Sequence, residues 1–178
     1  MKNKKKLENQ LILLCWLVYT CSYIGRLSYN SNINQIGNEF NLTYGQTGLV
    51  TTFFFFAYGI GQVVNGFLCK KYNTKIVIFL SLISSSILNF LLVTSKNVEL
   101  FKFIWLLNGV SMSFLWTSLI KLLSETISKE KIGKAIVTMG TTVAIGTFLV
   151  YSLSALFVAT LNYKFTFYVA SMILLIVS

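Results

Sequence analysis

The sequence predicts an all-α integral membrane protein, and three observations carry that prediction: its composition, the length of its apolar runs and the placement of its lysines. Of 178 residues, 55% are apolar and 11% charged, a balance that a water-soluble domain of this size would not carry. Apolar runs cover roughly 11–36, 47–69, 76–95, 100–123, 135–161 and 165–178, separated by short polar breaks. The first five reach the ~20 residues that a helix needs to cross ~30 Å of hydrocarbon. The sixth reaches only Ser178 and is expected to be a truncated helix. Backbone in lipid must satisfy its own hydrogen bonds, and these runs lack the alternation of a barrel, so helices are the expected conformation. The whole chain, 1–178, reads as a single transmembrane domain.

Lysine placement predicts the orientation. With the N-terminus in the cytoplasm, the inner segments hold Lys2, Lys4, Lys5, Lys6, Lys70, Lys71, Lys75, Lys121, Lys129, Lys131 and Lys134, and the outer ones only Lys96, Lys102 and Lys164. This asymmetry is that of the positive-inside rule and places the protein as a multi-pass protein of a bacterial cytoplasmic membrane. It accounts for the net charge of +10, which also favours anionic lipid head groups, and no nucleic-acid partner is expected. The first run is too long for a removable signal peptide and lacks a small-residue cleavage site. Cys15, Cys21 and Cys69 have no metal-ligand spacing and read as reduced, structural thiols. The residues contain no nucleophile with its base, no metal cluster and no phosphate-cradling loop, so neither an enzyme site nor a cofactor is expected.

Arg26 is the residue that asks for a function. Deep in the first run, an unpaired guanidinium costs at least ~2.5 to 3.5 kcal/mol and should face protein or a water-filled cavity. Tyr19, Tyr23, Arg26 and Asn30 fall at i, i+4, i+7 and i+11, which puts them on one narrow helix face. The second run carries a comparable polar stripe in Thr47, Thr51, Tyr58, Gln62 and Asn65. The chain has no aspartate, and Glu8, Glu39, Glu99, Glu125 and Glu130 all fall at helix ends or in loops. A cation without an internal acid suits an anionic ligand, and a guanidinium fork fits phosphate or carboxylate. The alternative is an arginine that bonds backbone carbonyls of neighbouring helices.

The stretch Ser22-Tyr23-Ile24-Gly25-Arg26, followed by Tyr58-Gly59-Ile60-Gly61-Gln62-Val63-Val64-Asn65-Gly66 and a basic loop, resembles the N-terminal half of a major facilitator superfamily transporter. Within that superfamily it is most similar to the organophosphate:phosphate antiporter branch of glycerol-3-phosphate and hexose-phosphate carriers. Asn108-Gly109, Leu115-Trp116 and Lys131-Ile132-Gly133-Lys134-Ala135 add further matches. The resemblance implies six helices in two inverted three-helix repeats, with helices one, two, four and five facing a central cavity. It implies substrate contact by Arg26, Tyr19, Tyr23, Asn30, Tyr58 and Gln62, and a cytoplasmic gating loop made of Gly66, Lys70, Lys71 and Lys75.

The pattern also departs from that branch. Gln62 stands where its best-known carriers have a lysine, which removes one phosphate-binding charge and leaves other organic anions open. Lys70 occupies the position of the superfamily's loop aspartate, and Thr117 and Ser118 replace the prolines after the helix-four tryptophan. The glycine and proline cluster of drug exporters is absent after Gly140 and Gly146. Close helix packing is expected at Gly59, from Val63 to Gly66 and from Gly140 to Ala144. The expected function is secondary active transport of a small organic anion by alternating access, a phosphate ester being one member of that class. A substrate sensor of the same fold and a nonfunctional half-carrier are the alternatives. The expected partners are the anion, the lipid bilayer and a C-terminal six-helix half, in the same longer chain or in a second one.

Overall fold

A computed structural model describes residues 2–178; Met1 and the side chains of Lys2 and Asn3, one of the counted lysines among them, lie outside the described residues. Eight helices follow one another: α1 Lys2–Ser31, α2 Ile33–Glu39, α3 Tyr44–Leu68, α4 Thr74–Thr94, α5 Val98–Thr126, α6 Lys129–Gly140, α7 Thr142–Thr160 and α8 Lys164–Val177. The fold is the all-α one that the composition demanded. Five stretches are long and apolar enough to cross a membrane, namely α1, α3, α4, α5 and α6 continued by α7, while α8 is a shorter apolar helix.

Two apolar runs are interrupted, and side-chain chemistry explains both breaks. The first run, expected to continue to Ile36, stops at Asn32, whose buried Nδ2 donates back to the Ser28 carbonyl at 2.8 Å. The Ser154 hydroxyl then holds Asn32 Oδ1 at 2.7 Å and the Ser31 carbonyl at 3.0 Å, so the break is clamped by α7. The fifth run bends at Thr141, where Thr138, Thr141 and Thr142 each donate a hydroxyl to a carbonyl three or four residues earlier. Such back-bonding bends helices. Trp16 Nε1 donates to Thr141 Oγ1 at 2.9 Å and fastens the bend to α1.

Helix starts follow the residues available to cap them. Thr43 and Gln46 form a reciprocal capping box at α3, and Asn73 and Asn97 accept from the amides of Lys75 and Glu99 at the starts of α4 and α5. Asn41 turns the chain from α2 into α3 with φ of 51°, a conformation that asparagine tolerates.

The packing pairs are those of two intertwined three-helix repeats. α3 lies on α5, and α1 lies on α7; α4 meets α5 as α8 meets α1, and α4 packs on α8 across the middle. Exchanging the first repeat for the second maps each pair onto its counterpart. Trp105 sits at the centre of the interior, with Phe54 at 5.0 Å and Tyr29 at 5.6 Å between ring centroids, and the Tyr29 hydroxyl reaches the Thr47 carbonyl at 2.9 Å.

Close backbone approach needs glycine at specific places. A Cβ on Gly61 would strike Ser113, one on Gly109 the backbone of Phe54, and one on Gly146 the side chain of Tyr23. The packing expected from small-residue spacing is therefore misplaced. Gly59, Gly66 and Gly140 have nothing within 4 Å of an added Cβ, because they lie on the outer faces of their helices, whereas Gly61 and Gly146 lie on the inner ones.

Candidate functional site

Arg26 lies within a cage of tyrosines. Its side chain is only 8% exposed, and Nη1 donates to the Tyr19 hydroxyl at 3.1 Å. The guanidinium carbon is 4.4 Å from the Tyr58 ring centroid, 4.8 Å from Tyr23 and 6.0 Å from Tyr19. Ring faces attract a guanidinium electrostatically, by ~2 kcal/mol or more where water is displaced. Tyr19 and Tyr23 meet edge to face at 5.5 Å, one helical turn apart on α1. Trp116 of α5 packs on Tyr19 at 4.9 Å and holds it from the far side.

Tyr58 reaches the cage from α3 and is held from below. Gln62 Nε2 donates to its hydroxyl at 2.7 Å, and Thr117 Oγ1 donates to Gln62 Oε1 at 3.2 Å. A continuous line of contacts thus runs from α1 through α3 to α5. Arg26 has five N–H donors, of which one is spent on Tyr19. The sealed polar atoms lacking a partner among the described residues are Thr20 Oγ1, Trp105 Nε1 and Thr166 Oγ1. The bond to Tyr19 is the one hydrogen bond of the Arg26 side chain among the described residues, and its other N–H groups are not among those sealed atoms.

Behind Arg26 the backbone is pinned by amides. The Gly25 carbonyl accepts from Asn108 Nδ2 at 3.1 Å and Asn89 Nδ2 at 3.2 Å, while Ser85 donates to Asn108 Oδ1 at 2.6 Å and Ser28 to Asn89 Oδ1 at 2.9 Å. All five residues except the glycine bring a buried polar side chain, and every partner is another member of the knot, so burial leaves none of these contacts unpaid. The knot fixes α1 against α4 and α5 one residue before the arginine.

Acids keep to the ends of the bundle. Glu8 pairs with Lys131 at 2.9 Å, Glu39 with Lys164 at 2.6 Å, Glu99 with Lys102 at 2.6 Å and Glu125 with Lys121 at 3.8 Å. No carboxylate pairs with Arg26 among the described residues. At Glu39, partial burial works to raise the carboxyl, but hydrogen bonds from Lys164 and Tyr163 and the Lys164 charge outweigh it and hold the group below its ordinary value.

Of the residues read from the sequence, Arg26, Tyr19, Tyr23, Tyr58 and Gln62 come together. Asn30 stands apart, accepting from Thr51 at 3.1 Å. Thr47 and Asn65 are buried in helix packing, Asn65 donating to the Phe114 carbonyl at 3.2 Å and accepting from the Tyr72 hydroxyl, so these two members of the α3 stripe are taken up by helix contacts above and below the cage. Gly66, Lys70, Lys71 and Lys75 are exposed. The loop they belong to is tied down instead by Lys121, whose Nζ donates to the carbonyls of Cys69 at 2.5 Å and Tyr72 at 3.3 Å. Sequence reasoning missed Lys121, Thr117 and Asn89. A signal existed for Asn89, because an amide inside so apolar a run must find a partner.

The Major Facilitator Superfamily signature matches residues 15–178. Among curated proteins, the membrane sensor protein UhpC of Escherichia coli is 28% identical over 102 residues, covering 57% of this chain and 23% of that protein. A probable sulfoacetate transporter, SauU of Cupriavidus necator, is 32% identical over 84 residues, covering 47% and 20%. A probable hexose phosphate transport protein of Chlamydia pneumoniae is 24% identical over 115 residues, covering 65% and 25%. The matches span about a quarter or less of these relatives' lengths. Such relatives agree with the organophosphate:phosphate antiporter branch, and helices of this length and apolarity make the chain a multi-pass membrane protein. The chain belongs to the Major Facilitator Superfamily of transporters.

Proposed function

We propose that this chain forms one half of a secondary active transporter for a small organic anion, with Arg26 as the anchor of the anion. One observation carries the reading: a buried guanidinium, faced by three tyrosine rings, spends one N–H donor on Tyr19 and has no carboxylate partner among the described residues. An anion entering the cage would meet the fork of Arg26 and the hydroxyls of Tyr19 and Tyr58. Gln62, neutral and tied to Tyr58, adds no second positive charge. Two relatives, named for sulfoacetate and for hexose phosphate, support an organic anion without choosing its headgroup.

Alternating access needs a second half. The exposed apolar residues Phe56, Ile60, Val63 and Phe67 on α3 and Phe148 on α7, together with the rim of the Arg26 cage, fit cover by a further six-helix unit, in the same longer chain or in a partner. The N-terminus and the loop carrying Lys70, Lys71 and Lys75 lie in the cytoplasm on this reading, following the lysine asymmetry.

A substrate sensor is the second reading, and a sensor relative favours it. Proteoliposomes carrying the complete protein separate the two. A transporter accumulates labelled organic anion against an unlabelled counter-anion, and a sensor binds the anion without moving it. If neither sugar phosphates nor sulfonates nor carboxylates bind at millimolar concentration, both readings fall.

A further inference from the structure

A second basic cluster lies roughly 30 Å from Arg26 along α1, taking 1.5 Å per residue. Between the first turns of α1 and α6 is a cleft of about 410 Å³, lined by Lys5, Asn9, Ile12, Lys131, Lys134 and Ala135 among others. Lys131 is fixed in it: Nζ lies 2.9 Å from Glu8 Oε2 and 3.0 Å from Asn9 Oδ1. Buried Glu8 also accepts from the Ser128 amide at 3.2 Å, which locks the start of α6 onto α1. Glu8 therefore offsets a single lysine. Lys5 and Lys134 are exposed and have no carboxylate partner among the described residues. Asn9, with its oxygen turned to Lys131, keeps its amide N–H groups for another acceptor.

The cleft is layered as the edge of a bilayer is. The apolar runs begin at Leu11 and Ala135, so the lysines stand in the headgroup layer, and Ile12 stands at the first layer of hydrocarbon, with Ala135 buried behind it. Exposed Leu13 and Val137 continue the apolar surface on either side. Below, the Trp16–Thr141 hydrogen bond closes α1 on the bend between α6 and α7 and gives the cleft a fixed floor.

We propose that this cleft is a binding site for an anionic phospholipid, with Lys5 and Lys134 holding the headgroup phosphate and the first acyl segment lying over Ile12 and beside exposed Leu13 and Val137. Basic clefts between helices at a membrane face suit such head groups. The site needs only that the chain be embedded in a bilayer, and it stands or falls independently of anion binding at Arg26.

Native mass spectrometry of the full chain in micelles tests this directly, with phosphatidylglycerol, phosphatidylcholine and inorganic phosphate as probes. Phosphatidylglycerol is expected to be retained over phosphatidylcholine. Lys5→Gln with Lys134→Gln should weaken its retention on the order of tenfold or more, since each lysine near an anionic headgroup contributes substantially. Lys5→Arg with Lys134→Arg should keep it, and so should Lys70→Gln with Lys71→Gln. Equal retention of the two lipids, or undiminished retention in the double glutamine variant, overturns the site. Equal weakening by the Lys70 and Lys71 pair shows diffuse charge and overturns it as well. Displacement by inorganic phosphate at comparable concentration assigns the cleft to a free anion and removes the lipid. Helicity by circular dichroism accompanies each variant, and should the double glutamine variant lose it, Lys134→Glu alone applies the same criterion.

Discussion

The guanidinium of Arg26 on α1 lies 4.4 Å from the ring of Tyr58 on α3, so the one buried cation among the described residues is shared between two helices of the first repeat. Tyr23 faces it from the other side at 4.8 Å. This pairing by rings leaves the charge without a neutralising acid, and each prediction about the site begins there.

Arg26→Lys keeps the charge and loses the fork, and Arg26→Ala loses both. In the complete protein, lysine should weaken organic-anion binding markedly and alanine should nearly abolish it, by on the order of 2 to 5 kcal/mol, as when one partner of a buried charged pair is removed. Calorimetry on well-folded protein checks this. Unchanged affinity in folded Arg26→Ala would return the arginine to a purely structural role.

Tyr58→Phe keeps a ring over Arg26 and loses the hydroxyl that Gln62 donates to, whereas Tyr58→Leu loses both. The leucine variant should bind anion more weakly than the phenylalanine one, by roughly 0.5 to 2 kcal/mol, the range of a cation–ring contact. Equal affinities in the two variants would show that the ring contributes nothing.

Gly61 and Gly59 are two residues apart on α3 but face opposite environments. Gly61→Leu must push Ser113 and α5 away, and overpacking of that kind costs about 1 to 3 kcal/mol. Gly59→Leu has no neighbour within 4 Å of its Cβ in this chain and, in the 178-residue chain by itself, should cost much less. Thermal unfolding in detergent distinguishes them, and equal loss in both would contradict the observed packing.

Glu39 tests the other end of the bundle by pH. Its folded pKa lies below the ordinary 4.5, so the pair with Lys164 stabilises fully above that value and is lost as pH falls through the folded value. The Glu39 and Lys164 side chains are 38% and 34% exposed, so screening keeps the effect well under ~1 kcal/mol. Wild type should melt slightly above Glu39→Gln at pH 7, and the gap should close as the pH falls through the lowered folded value. A gap that persists unchanged in acid would rule out the ion pair as its source.

Cys69 reports the orientation. Its half-buried thiol lies at the end of α3 beside Lys70 and Lys71. An impermeant thiol reagent outside intact cells should leave it unmodified, and the same reagent should label it in inside-out vesicles. Labelling from outside would invert the topology.

Apolar period and length were enough to read the helices, because in lipid a long apolar run has no other conformation. The breaks at Asn32 and Thr141 were not readable, since each depends on a side chain bonding its own helix while a distant residue, Ser154 or Trp16, holds the bend. Helical spacing put Tyr19, Tyr23 and Arg26 on one face correctly. The same spacing grouped Asn65 with Tyr58 and Gln62, and Asn65 and Gln62 do both reach α5, but spacing alone does not tell that Asn65 is used up in contacts with Phe114 and Tyr72. Contacts of Thr117 and Lys121 come from α5, roughly fifty residues from their partners in α3 and the loop after it, and no local pattern announces them.

A fixed positive charge deep in the membrane makes the empty and filled protein electrically different. Vacant, the Arg26 region carries one uncompensated charge through whatever fraction of the field it crosses, at ~2.3 kcal/mol per charge per 100 mV for the whole span. Filled by a monoanion, it is neutral, and reorientation would carry no net charge from this residue. A dianion would reverse the sign. The valence of the occupant would thus determine which half of the cycle feels the membrane voltage, since the other buried charge described in this half, Glu8, is paired with Lys131.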